Sequence, residues 1–320
     1  MFQESPRAPT NAGVRRAAAK IAAILPPTPL LPVEIGGVKC WVKAESLQPI
    51  GAFKIRGAWY RLSDLSATDR AHGVVGVSSG NHAQGVAWAA RKLGIAATIV
   101  MPLDAPQMKL GATRALGAEI VLYERPGEDR DAIAIRLCDK AGGTLVHAYA
   151  DPWVIEGQGS AGIEIAAQLG RQPSAIIACC GGGGLSAGLA LACPDARIIP
   201  VEPEGWDDVA RSLAAGEIMP VGPNPPPTAC DALQTPVTAP VNFAVLHGRA
   251  EPGIAVSEFE IRQAQRFAFA RLKLVLEPGG AAALAACLAG KVELDADTVI
   301  MLTGGNVDAG SFAKVIASTD

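Results

Sequence analysis

A chain of 320 residues, 49% of them hydrophobic, can bury a large core, and its length suits one large α/β domain or, as we expect, two smaller lobes. With 28 Lys and Arg against 31 Asp and Glu, the net charge of −3 excludes the basic surface of a nucleic-acid binder or a polybasic membrane protein and leaves a small molecule as the expected partner. The opening MFQESPRAPTNAGVRR has no apolar secretion core, no run approaches the roughly 20 apolar residues that cross a bilayer, and the 7 scattered cysteines include no C-x-x-C pair, which reads as buried thiols in a reducing cytoplasm.

Short β-rich runs alternate with alanine-rich helical stretches, the pattern of an α/β fold with a mostly parallel sheet. In chain order, strands are predicted at KCWVKA (39–44), GVVGVS (73–78), AATIVM (96–101), AEIVLY (118–123), AIIACC (175–180), RIIPVE (197–202) and DTVIMLT (297–303). Helices are predicted after most of them, for example NHAQGVAWAARKLG (81–94), DRDAIAIRLCDKAG (129–142) and GLSAGLALA (184–192). The prolines of MPVGPNPPPTACDALQTPVTAP (219–240) forbid a regular element, so this segment is either an ordered loop over a site or a surface linker. No internal repeat or low-complexity tail interrupts the alternation.

Four stretches fall at the ends of predicted strands, where open parallel sheets place their ligands. In CCGGGGLSAG, Gly181, Gly182, Gly183 and Gly184 follow a strand and open a helix, so backbone N–H groups and the helix N-terminus can hold an anion such as a phosphate. The spacing is not G-x-G-x-x-G and no Walker lysine follows, which weakens the dinucleotide and nucleoside-triphosphate readings, and a tight structural turn is the plain alternative. VSSGNHAQG sets Ser78, Ser79, Asn81 and His82 at a helix start, a cradle for a carboxylate, with N-capping by Ser79 as the simpler role for that serine alone. Lys54, between Phe53 and Ile55, is either an ordinary solvated lysine or a partly desolvated amine able to attack a carbonyl. TGGNVD ends the last strand with the hydroxyl of Thr303 beside two glycines, or is simply a βα turn. Together, a phosphate cradle, a carboxylate cradle and a Schiff-base lysine suggest pyridoxal phosphate with an amino-acid substrate.

With these motifs the sequence resembles the fold-type II pyridoxal-phosphate enzymes, specifically the serine/threonine dehydratase and serine racemase branch. KAESLQPIGAFKIRGA is similar to that family's lysine motif, SSGNHAQG to its substrate-carboxylate loop, GGGGL to its phosphate loop and TGGN to its pyridine-nitrogen motif, in the family's order and over nearly the whole chain. The resemblance implies that Lys54 carries the cofactor as a Schiff base, Phe53 packs on the ring, and Asn81 bonds the ring's phenolic oxygen. It further implies that Gly181 to Gly184 and Leu185 hold the phosphate and that Thr303 faces the pyridine nitrogen. Ser78, Ser79, Asn81 and His82 would surround the substrate carboxylate, and Glu277 in LEPGGAAALAA would lie near the ring or cap a helix. Glu202, the carbonyl of Trp206 and Asp208, in VEPEGWDD, occupy the places of a magnesium or calcium site, though the same run could be an acidic helix start.

The implied architecture is two-lobed, with a smaller lobe at 45–146 inserted into a larger one formed by 1–44 and 147–320. The implied activity is deamination of L-threonine and/or L-serine to a 2-oxo acid and ammonia, Lys54 acting as base. If Ser79 returns a proton on the opposite face, serine or 3-hydroxyaspartate racemase/dehydratase activity is the alternative. A nicotinamide-dependent oxidoreductase is the alternative from another class. The resemblance also implies a cytoplasmic homodimer without isoleucine feedback through a C-terminal regulatory domain. Two departures stand out: CDA at 230–232 where many relatives have ADG, and Thr303 in place of the more usual serine.

Overall fold

The computed structural model describes residues 7–125 and 127–318. Residues 1–6, 126 and 319–320 lie outside the described residues, and with them the start of the opening segment and the outer ends of the expected 1–44 and 147–320 lobe. The elements run α1 (Asn11–Ala22), β1 (Leu30–Ile35), β2 (Val38–Lys43), α2 (Lys54–Ser63), α3 (Ala67–His72), β3 (Val74–Val77), α4 (Asn81–Leu93), β4 (Ala97–Pro102) and α5 (Gln107–Ala115). They continue with β5 (Glu119–Tyr123), α6 (Arg130–Ala141), β6 (Thr144–Val146), α7 (Pro152–Leu169), β7 (Ala175–Cys179), α8 (Gly184–Ala192), β8 (Arg197–Pro203) and α9 (Asp208–Ala215). The last are α10 (Pro240–Leu246), β9 (Ile254–Val256), α11 (Glu258–Phe267), α12 (Pro278–Leu288), β10 (Thr298–Met301) and α13 (Ala309–Ala317).

The strands form two sheets, a six-stranded one in the order β1-β2-β10-β7-β8-β9 and a four-stranded one in the order β5-β4-β3-β6. Every pairing is parallel except the β1–β2 hairpin. The α/β class expected from the alternating pattern is therefore the observed one. Alternation along β7 sends Ile177 and Cys179 to a cluster with α12, and Ile176 and Ala178 to a cluster with Leu185 and Leu189 of α8, so both faces are apolar. In the smaller sheet, Ile99 and Met101 of β4 pack with Val86 and Ala90 of α4 and with Ala58 and Leu62 of α2.

One helix sets the spacing of the elements that matter for function. α7 packs on both α2 and α8, and its glycines let backbones touch. A Cβ at Gly157 would lie 2.5 Å from the Cα of Gly57 on α2, and one at Gly188 on α8 would lie 2.5 Å from the amide nitrogen of Gly159. The start of α2 and the start of α8 are thus held at fixed offsets from the same rod. A buried ionic network fastens α2 further: Arg56 bonds both oxygens of Glu45 at 2.7 Å and both of Glu164, on α7, at 2.7 and 2.8 Å. Lys43 joins the same Glu164 at 2.7 Å.

Candidate active site

β7 ends and α8 begins through Gly181, Gly182 and Gly183, with Gly183 in the left-handed region at φ +87° as the residue before the helix. The first intrahelical bond there runs from the Ala187 amide to the Gly183 carbonyl at 2.9 Å, so the amides of Gly184, Leu185 and Ser186 have no partner within the helix. Two of its glycines leave no room for a side chain. A Cβ on Gly182 would lie 2.3 Å from the ring of Tyr149, and one on Gly181 would lie 2.8 Å from Thr235 Oγ1. The Gly182 carbonyl accepts from Thr238 Oγ1 at 3.1 Å and from Asn242 Nδ2, which fixes the loop from behind.

Lys54 opens α2 and its side chain lines the same cavity as the glycines. Nζ donates to the carbonyl of Ala148 at 2.9 Å and lies 5.2 Å from the Phe53 ring. Burial lowers its pKa to about 8, against a small opposing pull from the Cys179 and Cys180 thiols. Among the described residues no carboxylate pairs with it, so no ion pair offsets the effect of burial. The ordinary solvated lysine is not what the fold provides.

Asn81 begins α4 and is tied from two sides. Its Nδ2 donates to Glu277 Oε1, and its Oδ1 accepts from Asn306 Nδ2 at 2.8 Å. Glu277 precedes α12 and makes no side-chain cap; its second oxygen faces Lys109 Nζ at 3.4 Å, and Lys109 also donates to Asp231 at 2.6 Å. Burial works against the Lys109 charge, but Glu277 and Asp231 overcome it and hold its pKa above the ordinary lysine range. Residues 231–235 of the proline-rich segment line the cavity, so that stretch covers a site. Apart from a short turn at Asp231–Leu233 and the Pro240 that starts α10, it has no regular element.

The VSSGNH stretch connects β3 to α4 as expected, but Ser79 does not cap the helix: Gly80 holds that position without a side-chain bond. Ser78 Oγ accepts from the Gly80 amide at 3.1 Å. His82 is 2% exposed, with Nε2 on the Val146 carbonyl at 2.8 Å and Nδ1 without a partner. Burial, reinforced by the Lys54 charge, lowers its pKa to about 3, so the ring is neutral. Thr303, just beyond β10, places its hydroxyl 2.8 Å from Cys179 Sγ.

One cavity therefore brings together Phe53, Lys54, Ser78, Ser79, Asn81, His82, the four glycines, Leu185, Glu277 and Thr303. Glu202, Trp206 and Asp208 are not part of its lining. Glu202 ends β8 fully buried, its two oxygens accepting the amides of Val209 and Ala210 at 3.1 and 2.8 Å. Asp208 accepts the Thr238 amide at 2.7 Å through Oδ2, while its buried Oδ1 has no partner. Burial pushes the Glu202 carboxyl well above the usual range, Asp208 adding to it, and pushes Asp208 to about 7. Among the described residues no group of three His, Cys, Asp or Glu side chains could hold a metal.

Sequence reasoning missed Lys109, Tyr149 and Cys179 in the cavity. Lys109 sits in an amphipathic helix like any surface lysine, and Tyr149 belongs to no motif. Cys179 had a visible signal, since it ends the strand that leads into the glycines.

A family model described as pyridoxal-phosphate dependent enzyme matches residues 21–304. An L-threo-3-hydroxyaspartate ammonia-lyase of a Pseudomonas species is 40% identical over 285 residues, 88% of each chain. An L-threonine ammonia-lyase of Thermotoga maritima is 37% identical over 288 residues, 88% of this chain and 71% of that one. Among solved structures, maize serine racemase superposes with a TM-score of 0.90 at 34% identity, covering 96% of this chain and 97% of that one. The chain belongs to the fold-type II branch of the pyridoxal-phosphate dependent enzymes.

Proposed function

We propose that this protein deaminates L-threonine and/or L-serine, by loss of water from the β-carbon, to a 2-oxo acid and ammonia. The observation that carries this reading is Lys54: an amine with its pKa lowered to about 8, without a carboxylate partner, in one cavity with the glycine cradle. The residues present fit pyridoxal 5′-phosphate, because the cradle that a Cβ would fill at Gly182 leaves amide donors at a helix start for an anion. In this reading Lys54 is the attachment point, Phe53 packs on the ring, Asn81 meets the phenolic oxygen and Thr303 the ring nitrogen. Gly181 to Gly184 and Leu185 hold the phosphate, and Glu277 orients Asn81.

When bound, the cofactor supplies the electron sink that makes the Cα proton removable. Lys54 Nζ, neutral in a useful fraction near pH 7, takes that proton. Thr303 contributes a hydroxyl rather than a carboxylate and so leaves the ring nitrogen without a counter-charge, which favours prompt loss of the β-hydroxyl. Ser78, Ser79, Asn81 and His82 surround the substrate carboxylate at the start of α4, and neutral His82 also braces that turn against β6.

Ser79 supports a second reading, racemase/dehydratase activity toward serine or 3-hydroxyaspartate, because its hydroxyl is free of any capping role and lines the cavity with Lys54. The nicotinamide alternative leaves Lys54 without a role and is dropped. The deciding experiment incubates the holoenzyme with L-serine, L-threonine and L-threo-3-hydroxyaspartate, measuring 2-oxo acid release beside chiral amino-acid analysis. Pyruvate or 2-oxobutanoate is expected; D-serine without pyruvate would defeat the lyase reading.

The same proposal includes two lobes, 45–146 and 1–44 with 147–320, each built on one sheet. It also includes a magnesium or calcium ion at Glu202, the Trp206 carbonyl and Asp208, since two buried carboxylates, one of them with an unpartnered oxygen, suit a hard cation. A homodimer in the cytoplasm completes it, the reducing compartment being supported by seven free thiols. No helix among the described residues is long and apolar enough to cross a membrane.

A further inference from the structure

β7 and β10 are neighbours in the larger sheet, in parallel register from Ala175 opposite Thr298 to Ile177 opposite Ile300. Their ends therefore lie side by side, and this brings Cys179 against Thr303. Both are buried, at 4% and 3% exposure, and Sγ lies 2.8 Å from Oγ1. The rest of Thr303 is fixed: its carbonyl accepts the Phe53 amide at 3.1 Å and its own amide donates to Gly280 at 3.4 Å. With Oγ1 beside Sγ, Cys179 is the group placed to decide the direction of the hydroxyl hydrogen.

A hydroxyl has one hydrogen to give and two lone pairs to receive with. Burial raises the Cys179 thiol to about 11, with the Thr303 bond only partly opposing, so sulfur keeps its proton at neutral pH. A thiol that donates into Oγ1 leaves the hydroxyl hydrogen free for an acceptor in the cavity. Sulfur itself is a weak acceptor and competes poorly for that hydrogen.

We propose that Cys179 is a positioning residue that holds the Thr303 hydroxyl with its hydrogen directed at the cofactor's ring nitrogen, through the relay Sγ–H to Oγ1 and Oγ1–H to nitrogen. This rests on the reading that Thr303 faces that nitrogen. The relay keeps the nitrogen an acceptor, so the thiol tunes a ring it does not touch. Among the described residues, the hydrogen bond of Oγ1 is the one to Cys179 Sγ.

The test compares Cys179→Ala, Cys179→Ser, Cys179→Val and Thr303→Val. Cofactor affinity is read by titrating the apoenzyme, and the pH dependence of the bound cofactor's absorbance is recorded for each. Removing one neutral hydrogen bond corresponds to about fivefold in affinity, so Cys179→Ala and Cys179→Val should each weaken binding by about that factor. They should also shift the absorbance titration in the same direction as Thr303→Val, and Cys179→Ser, which restores a donor, should recover the wild-type titration. If Cys179→Ala fails to fold, Cys179→Ser against Cys179→Val decides in the same terms. A shift in Thr303→Val with none in Cys179→Ala or Cys179→Val overturns the relay alone. No shift in Thr303→Val overturns the assignment of Thr303, and the relay with it.

Discussion

The amine of Lys54 carries the reading and can be tested without turnover. Burial lowers its pKa from 10.5 to about 8. At pH 7 roughly one amine in eleven is then neutral, against roughly one in three thousand for an unperturbed lysine, a gain of about 300-fold in attacking species. Mixing apoenzyme with pyridoxal phosphate in a stopped-flow and following absorbance from pH 6 to 10 should give an attachment rate that rises about tenfold per unit and levels near pH 8. A rate still climbing at pH 10 would refute the desolvated amine. Stability provides an independent arm. The unfolded chain holds the lysine proton up to about 10.5 and the folded chain only up to about 8, so between these values the unfolded state binds more protons and apoenzyme stability rises with pH. Below about 8 the full cost of burying the amine is present. Lys54→Met should therefore be more stable than wild-type apoenzyme at pH 7, by about 1–3 kcal/mol, with the difference fading toward pH 10.5. Equal stability of the two proteins across that range would place Nζ in water.

Three further outcomes follow from the same geometry. Gly182→Ala sets a methyl 2.3 Å from the Tyr149 ring, so it should lose at least about tenfold in cofactor affinity and about 1–3 kcal/mol in stability; wild-type binding in that variant would sink the cradle. Arg56→Met leaves Glu45 and Glu164 without their shared partner and should cost about 3–5 kcal/mol in urea unfolding; a loss under about 1 kcal/mol would mean the network is solvated. Calcium at about a hundred times its Kd should raise the melting temperature by on the order of 5 °C in wild type but not in Asp208→Asn, and an equal rise in both would remove Asp208 from the cation site.

Much of this fold was legible because parallel strands buried on both faces are apolar runs closed by glycine or polar turns. The seven predicted strands all occur, with ends shifted by a residue or two. β6 and β9 escaped because three residues, TLV and IAV, are too few to show a period. β1 escaped because LLPVEI carries a proline and a glutamate; as an edge strand it tolerates both. The motifs at the strand ends were legible because anion cradles require particular residue types at particular places. Lys109 was not, since its partners Asp231 and Glu277 stand 122 and 168 positions away.

The limit of sequence reasoning is sharpest within FKIR. Two cations stand two residues apart at the start of one helix, and nothing in their spacing says which is reactive. Across the turn of α2, Arg56 points to Glu45 and to Glu164 of α7, and those carboxylates hold its pKa above even the ordinary arginine range against the cost of burial. Lys54 donates to a backbone carbonyl and lies near the Phe53 ring, and among the described residues it pairs with no carboxylate. Had Glu45 or Glu164 faced Lys54 instead, the amine would be locked as an ammonium and could attack nothing. The choice between permanent charge and titratable nucleophile is therefore made by Glu45, early in the lysine motif, together with Glu164 of α7, which the close approach of Gly157 to Gly57 holds against α2.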